Sequence, residues 1–155
     1  MAKSKKSKKS KANYLSYVKY GAIALGLLGL IMTVLTFYNC GDAGSFSGIQ
    51  TIFGYSKEGL KAAVPILQFS FLALLAVLLP VVGCFGVLFK NKIVKLVGAL
   101  LMLAGCVLCF IIPSLVVVEK TAFIYANGSL GVGAVLAGIF FGLGALCSVY
   151  PLVKE

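Results

Sequence analysis

The stretch LGVGAVLAGIFFGLGALCSVYP, residues 130–151, contains 22 residues and no charged side chain. An α-helix of about 20 consecutive apolar residues crosses the ~30 Å hydrocarbon core of a bilayer, so this stretch predicts a membrane span. The rest of the chain has the same character, because 61% of its 155 residues are hydrophobic and only 12% are charged. A soluble domain has about 25% charged residues. Lipid is therefore the expected solvent for most of the chain.

Four long apolar runs predict the architecture. The predicted spans are residues 18–38, 62–89, 93–118 and 130–153. We therefore expect an all-α membrane protein, with a four-helix transmembrane bundle over residues 18–153 and a disordered basic cytoplasmic tail over residues 1–17. The second and third runs are longer than a straight crossing requires, and each contains a proline, so we expect tilt or kinks there. Ser56, ahead of the second run, is expected to cap its helix.

The lysines predict the orientation of the spans. All 14 basic residues are lysines; seven lie in the first 19 residues, three in the turn KNKIVK (residues 90–95) and one at position 154. Only three lie on the opposite side. Because cytoplasmic segments are enriched in Lys and Arg, both termini are expected in the cytoplasm and the protein in the plasma membrane. Using lysine alone is typical of an AT-rich genome and favours a bacterial source.

The basic tail has two interpretations. It fixes topology through the positive-inside effect, or it also binds anionic lipid headgroups, to which each lysine near the surface contributes roughly 1 kcal/mol. Nucleic-acid binding is not expected, because no stacking aromatic residues or folded module accompany the lysines. The candidate lipid-binding residues are Lys3, Lys5, Lys6, Lys8, Lys9 and Lys11.

Small residues recur along the fourth run. Ala134, Gly138, Gly142 and Ala145 lie on one ridge of the predicted helix, and small residues four apart allow two helix backbones to approach closely. The pattern favours packing within the chain, and dimerisation through the same ridge is the alternative.

The first outer loop, residues 39–61, is the longest polar-leaning segment between the spans. We expect a short helix at the membrane interface, begun by Ser45 or Ser47 and ended by Gly54; a short β-hairpin is the alternative. Its apolar residues would either close the top of the bundle or contact a partner. These residues are Phe46, Ile49, Ile52 and Phe53.

The segment SFSGIQTIFGY, between the first two spans, resembles the outer loop of small, mostly uncharacterised four-span membrane proteins of Gram-positive bacteria. The shared residues are Ser47-Gly48 and Phe53-Gly54, and the resemblance implies topology and localisation, with no activity attached. Claudin-like tetraspans have loops of similar relative lengths, but their pattern needs a Trp and a Cys pair. This chain has no Trp, and only Cys40 lies in that loop.

Several kinds of chemistry are not expected. The chain has no His, which is the commonest general base and metal ligand, and its spans carry no charge away from the lysines at their cytoplasmic ends. Cys106 and Cys109 form a C-x-x-C inside an apolar run, where packing is the expected role. We therefore expect no enzyme, cofactor or metal site. The predicted role is structural, accessory or partner-binding, with a membrane protein or a second copy as partner. The alternative is a small transporter or channel subunit that acts as an oligomer.

Overall fold

A computed structural model describes residues 2–40, 44–58, 63–89, 91–116 and 128–154. The chain is mostly helical, with five short strands among these residues. In chain order the elements are α1 (Ala2–Ile31), a 3-10 turn (Met32–Val34), β1 (Thr36–Cys40), β2 (Gly44–Ser47), α2 (Gly48–Phe53), β3 (Tyr55–Glu58), β4 (Ala63–Leu67), α3 (Phe71–Gly86), α4 (Lys92–Phe110), α5 (Ile112–Leu115), β5 (Ser129–Leu130) and α6 (Val132–Lys154).

Three helices are long and apolar enough to cross a membrane. The apolar segments are Ser16–Val34, Lys92–Phe110 and Val132–Tyr150, and the apolar helix Phe71–Gly86 is shorter. The protein is therefore mostly helical, and its apolar helices are compatible with embedding in a membrane. The four longest helices, α1, α3, α4 and α6, run alternately between two ends of the bundle. We call the end that carries the strands the strand end, and the opposite end, where α1 begins and α4 follows the turn at Asn91, the lysine end.

The predicted second span, residues 62–89, was too long. Only residues 71–86 form a helix, and Ala63–Leu67 form strand β4 instead. Pro65 explains the difference, because it has no N–H for a helical hydrogen bond and it disfavours helical backbone at the preceding Val64. The helix cap predicted at Ser56 was likewise wrong: Ser56 lies in β3, and Ser70 caps α3.

The other predicted spans also differ at the strand end. The first, predicted to reach residue 38, ends its helical part at Val34, and Phe37 and Tyr38 belong to β1. The run Thr-Phe-Tyr is β-branched and aromatic, which favours a strand. The third span, predicted over 93–118, is interrupted after Phe110, because Pro113 cannot continue the helix. Residues 117–118 lie outside the described residues.

The lysine-rich segment is part of α1. The helix begins at Ala2, so it includes residues that we expected to form a disordered tail. Lys and Ala have high helix propensity. The lysine-rich segment therefore extends, toward the amino terminus, the helix that the following apolar residues form. A 30-residue helix is about 45 Å long, which exceeds the ~30 Å hydrocarbon core.

Glycines permit the closest helix contacts. The helices pack in the order α3, α4, α6, α1, with a sparser contact between α1 and α3. Where α3 crosses α4, a Cβ atom on Gly98 would lie 2.7 Å from the Gly83 carbonyl oxygen and 3.2 Å from the Gly86 Cα atom. Gly105 accommodates the ring of Pro80, which lies inside α3. These positions hold α3 against α4 with almost no side chain between them.

The main core lies between the helices and the strand end. It contains Phe37 from β1, Ile52 from α2 and Phe141 from α6, all buried, together with small residues of α3 and α6. A smaller cluster nearer the lysine end joins Cys84, Met102 and Ala145. The core therefore binds the outer segments to the helices.

We predict that Gly98→Ala destabilises the protein by about 1–3 kcal/mol, the usual cost of overpacking, because the added methyl group would meet backbone atoms that cannot move aside. Gly21→Ala is the matched control. A Cβ atom there meets nothing within 4 Å, and Ala is favoured over Gly in a helix by up to about 1 kcal/mol. Unfolding in mixed detergent micelles, followed by circular dichroism, measures both variants. Equal stability of the two would contradict this packing.

Candidate contact surface at the strand end

Strands from the two loops at the strand end form one antiparallel sheet. Its strand order is β2–β1–β5, with Tyr38 opposite Leu130 and Asn39 opposite Ser129. The Gly131 N–H donates to the Phe37 carbonyl oxygen at 2.8 Å. A second sheet, β3–β4, follows α2. The first loop thus contains the strands that we considered as an alternative as well as the helix that we favoured.

Helix α2 has the predicted ends. The Ser47 hydroxyl accepts from the Gln50 N–H at 3.4 Å, and the Gln50 side-chain oxygen accepts from the Ser47 N–H at 3.0 Å, which is a capping box. Gly54 follows the helix at φ +87°, a conformation that favours glycine. The short helix predicted for this loop is therefore present, and its position at a membrane interface stays a prediction.

Ser47, Gly48 and Gly54 have structural roles at the ends of α2. A Cβ atom on Gly48 would lie 2.6 Å from the Thr33 carbonyl oxygen, so glycine allows α2 to rest on the 3-10 turn that follows α1. A Cβ atom on Gly54 would lie 2.7 Å from the Leu67 carbonyl oxygen. Both glycines permit close backbone contacts, and Ser47 begins the helix between them.

The four apolar loop residues do not share one environment. Phe46 lies on β2 rather than on α2; it is 3% exposed and packs on Tyr55, with ring centroids 5.5 Å apart. Ile52 is 6% exposed and belongs to the main core. By contrast, Ile49 is 52% exposed and Phe53 is 66% exposed. Two residues therefore help close the bundle, and the other two form a surface.

The exposed surface includes a third residue. Phe69, 53% exposed, contacts Phe53 with ring centroids 6.4 Å apart. Ile49 and Phe53 are four residues apart on α2 and therefore lie on the same helix face. We call Ile49, Phe53 and Phe69 the apolar patch. Sequence analysis placed Phe69 inside a span, so its contact with the loop was not anticipated.

Ser70 joins three segments at the edge of this patch. Its N–H donates to the Ile52 carbonyl at the end of α2 (3.0 Å), and its hydroxyl donates to the Leu115 carbonyl at the end of α5 (3.1 Å). The same hydroxyl accepts from the Ala73 N–H at 3.3 Å and caps α3. The sequence does contain a signal for this helix cap, since Ser70 stands directly before a long apolar helical run.

The small-residue ridge of α6 faces α4. A Cβ atom on Gly138 would lie 2.9 Å from the Phe110 ring, and one on Gly142 would lie 3.3 Å from the Cys106 sulfur. Ala134 is fully buried in the main core. These residues thus occupy a contact within the chain.

The lysines at the lysine end differ in how much of them the structure describes. The predicted lipid-binding lysines lie on α1, but their side chains fall outside the described part of the structure, so their lipid contact stays a prediction. Lys95, which we assigned to a turn, is in the first turns of α4 and only 3% exposed. Lys95 is not left without a partner, as a buried charge requires.

Buried polar groups among the described residues are all hydrogen-bonded. No buried side-chain nitrogen or oxygen there lacks a partner. The Thr51 hydroxyl donates to the Ser47 carbonyl at 2.7 Å, and the Ser148 hydroxyl donates to the Gly144 carbonyl at 2.8 Å. Within the same residues, no group of three His, Cys, Asp or Glu side chains could hold a metal ion.

Comparisons of the chain with protein families, with curated proteins and with solved structures found no match.

We predict opposite results for two neighbouring substitutions on α2. Ile52→Ala should destabilise the protein by about 2–5 kcal/mol, because it removes a buried side chain from the main core. Phe53→Ala should change stability by no more than about 0.5 kcal/mol, because its side chain is exposed. Thermal unfolding in detergent micelles compares the two variants. A large loss of stability in Phe53→Ala alone would reverse the assignment of the two helix faces.

Proposed function

We propose that the chain is a four-span plasma-membrane protein with a structural or accessory role, whose strand end is presented outside the cell to a membrane-protein partner. The observation that carries this proposal is that, among the described residues, hydrogen bonds connect β1, β2, β5, α2 and α5 at the strand end to one another and to the ends of the long helices. A surface held in this way suits recognition, because less conformational entropy is lost on binding.

The surface of the helices supports membrane embedding of the bundle. Apart from Lys92 at its start, the large side chains that α4 exposes are apolar and recur three or four residues apart, as on one broad helix face. A water-soluble monomer rarely exposes so large a continuous apolar surface, so lipid is the natural neighbour. These exposed residues are Ile93, Leu96, Val97, Leu100, Leu103, Val107 and Phe110.

Charge and aromatic residues support the orientation. The amino-terminal lysines, Lys92 and Lys154 lie at the lysine end, whereas Lys57 lies on β3 at the strand end. Tyr14, Tyr17 and Tyr20 are exposed near the lysine end of α1, and tyrosines are enriched where a span meets the headgroups. Both termini are thus proposed to be cytoplasmic, and the apolar part of α1 begins near these tyrosines.

An accessory role fits the interior better than transport does. Ionisable residues inside a bundle are the usual mark of ion or proton pathways. Among the described residues, the buried hydroxyls of Thr33, Thr51, Ser70 and Ser148 each donate to a backbone carbonyl, and the buried Lys95 lies near the lysine end. The proposal includes no catalysis, and it assigns the recognition of a partner to the strand end.

One experiment tests orientation and role together. Each of the five cysteines is replaced by alanine, and a single cysteine is introduced as Ser45→Cys, on the exposed edge of β2, or as Asn91→Cys, at the lysine end. A membrane-impermeant maleimide that carries a photo-cross-linker is added to intact cells and then irradiated. We expect attachment at position 45 and not at 91, followed by a discrete cross-linked protein.

Two results would contradict the proposal. Attachment at position 91 from outside would reverse the orientation. Attachment at position 45 without a protein adduct, together with solute flux through proteoliposomes of the purified protein, would favour the transporter or channel alternative.

A further inference from the structure

Helix α3 is short for a membrane span. Its 16 residues extend about 24 Å, against a hydrocarbon core of about 30 Å. Neighbouring α4 and α6 have 19 and 23 residues, or about 28 and 35 Å. On the α3 side of the bundle, other apolar groups must therefore extend the lipid-facing surface by about 6 Å, or the bilayer must become thinner there.

The apolar patch lies where this extension is needed. Phe69 precedes the first helical residue, Phe71, by two positions, and Phe71 and Leu72 are themselves 61% and 46% exposed at the start of α3. Phe53 contacts Phe69, and Ile49 is one helical turn from Phe53. Exposed apolar side chains thus lie both at the start of α3 and on α2, with Phe69 between them in the chain and in contact with α2.

Helix α2 carries apolar side chains on its exposed side as well as on its buried side. One side buries Ile52 and Thr51, and the opposite side exposes Ile49 and Phe53. Its sequence, GIQTIF, contains no charged residue. A helix whose outer side faces water normally carries polar or charged residues there. The composition of α2 therefore favours an apolar neighbour on the exposed side as well.

We propose that the apolar patch inserts into the lipid bilayer at the strand end, so that α2 lies along the membrane interface beside α3. Phenylalanine and isoleucine on one side of a short helix are suited to the boundary between headgroups and acyl chains. In this position α2 completes the lipid-facing surface that α3 leaves short. The proposal rests on the four-span layout, and the experiment includes a control that tests this layout separately. Under this proposal a protein partner would contact the sheet edge at β2, and the apolar patch would contact lipid.

The absence of Trp from the chain permits a direct test. Phe53→Trp places a single fluorophore at an exposed position, where the larger ring has room. The full-length variant is reconstituted at low protein-to-lipid ratio into phosphatidylcholine vesicles whose acyl chains carry bromine, a short-range quencher. We expect the indole at position 53 to lose most of its emission relative to vesicles of unbrominated lipid, and to be poorly quenched by iodide in the water.

Two control variants fix the scale. Leu100→Trp, midway along the exposed face of α4, should be quenched by brominated lipid at least as strongly as the Phe53→Trp variant. Ser45→Trp, exposed on β2, should be quenched by iodide and not by bromine. If position 100 escapes bromine, the four-span layout itself fails.

Two outcomes at position 53 would overturn the proposal while the controls behave as expected. Quenching by iodide alone would place the patch in water. Protection from both quenchers would mean that protein covers the patch, as in a dimer or a complex with a partner.

Discussion

The pairing of β1 with β5 is the interaction on which the strand end depends. β1 follows α1 almost directly, and β5 precedes α6 by one residue, so pairing the two strands fixes where the ends of these helices meet. β1 also pairs with β2 on its other edge, and β2 leads straight into α2. The hydrogen bonds of one central strand thus connect the described parts of both loops at the strand end.

This arrangement also satisfies the backbone of irregular segments close to lipid. An unpaired N–H or C=O group costs several kcal/mol in hydrocarbon, so loops near a bilayer need internal partners. Here the Gly131 N–H bonds to Phe37, the Gly48 N–H to Leu35 and the Ser70 N–H to Ile52. Side chains seal the same region, because Phe37 and Ile52 enter the core between the helices. The strand end is therefore a lid packed on the bundle, and only its outer surface is available for binding.

The sequence made the helices predictable because their signals are local. The apolar runs, the cap at Ser47 and the glycine after α2 are all read within a few residues, and each has its counterpart in the structure. Span ends were less predictable, because Phe37, Tyr38 and Val64 are as apolar in a strand as in a membrane helix. Only Pro65 and Pro113 indicated that two of the runs stop being helical.

Contacts between distant segments could not be anticipated in this way. β5 has only two residues, and nothing within it identifies β1, more than 80 positions earlier, as its partner. Gly83 and Gly98 carry no motif comparable with Gly138-x-x-x-Gly142, since their role depends on which helices cross. The candidate surface was half predicted for the same reason: Phe53 was recognised, but Phe69 becomes its neighbour only after β3 and β4 fold back.

A cross-linking measurement tests the β1–β5 pairing most directly. In the variant that lacks the native cysteines, Asn39→Cys with Ser129→Cys places thiols on opposite residues of the two strands. Opposite residues of antiparallel strands have Cα atoms about 4.5–5.5 Å apart, within the range of a disulfide. The control, Ser45→Cys with Ser129→Cys, joins strands on either side of β1, about 9.5 Å apart. After mild oxidation of the reconstituted protein, mass spectrometry should find the 39–129 disulfide within one chain and no 45–129 disulfide. A 45–129 disulfide without the 39–129 disulfide would contradict the strand order and the account built on it.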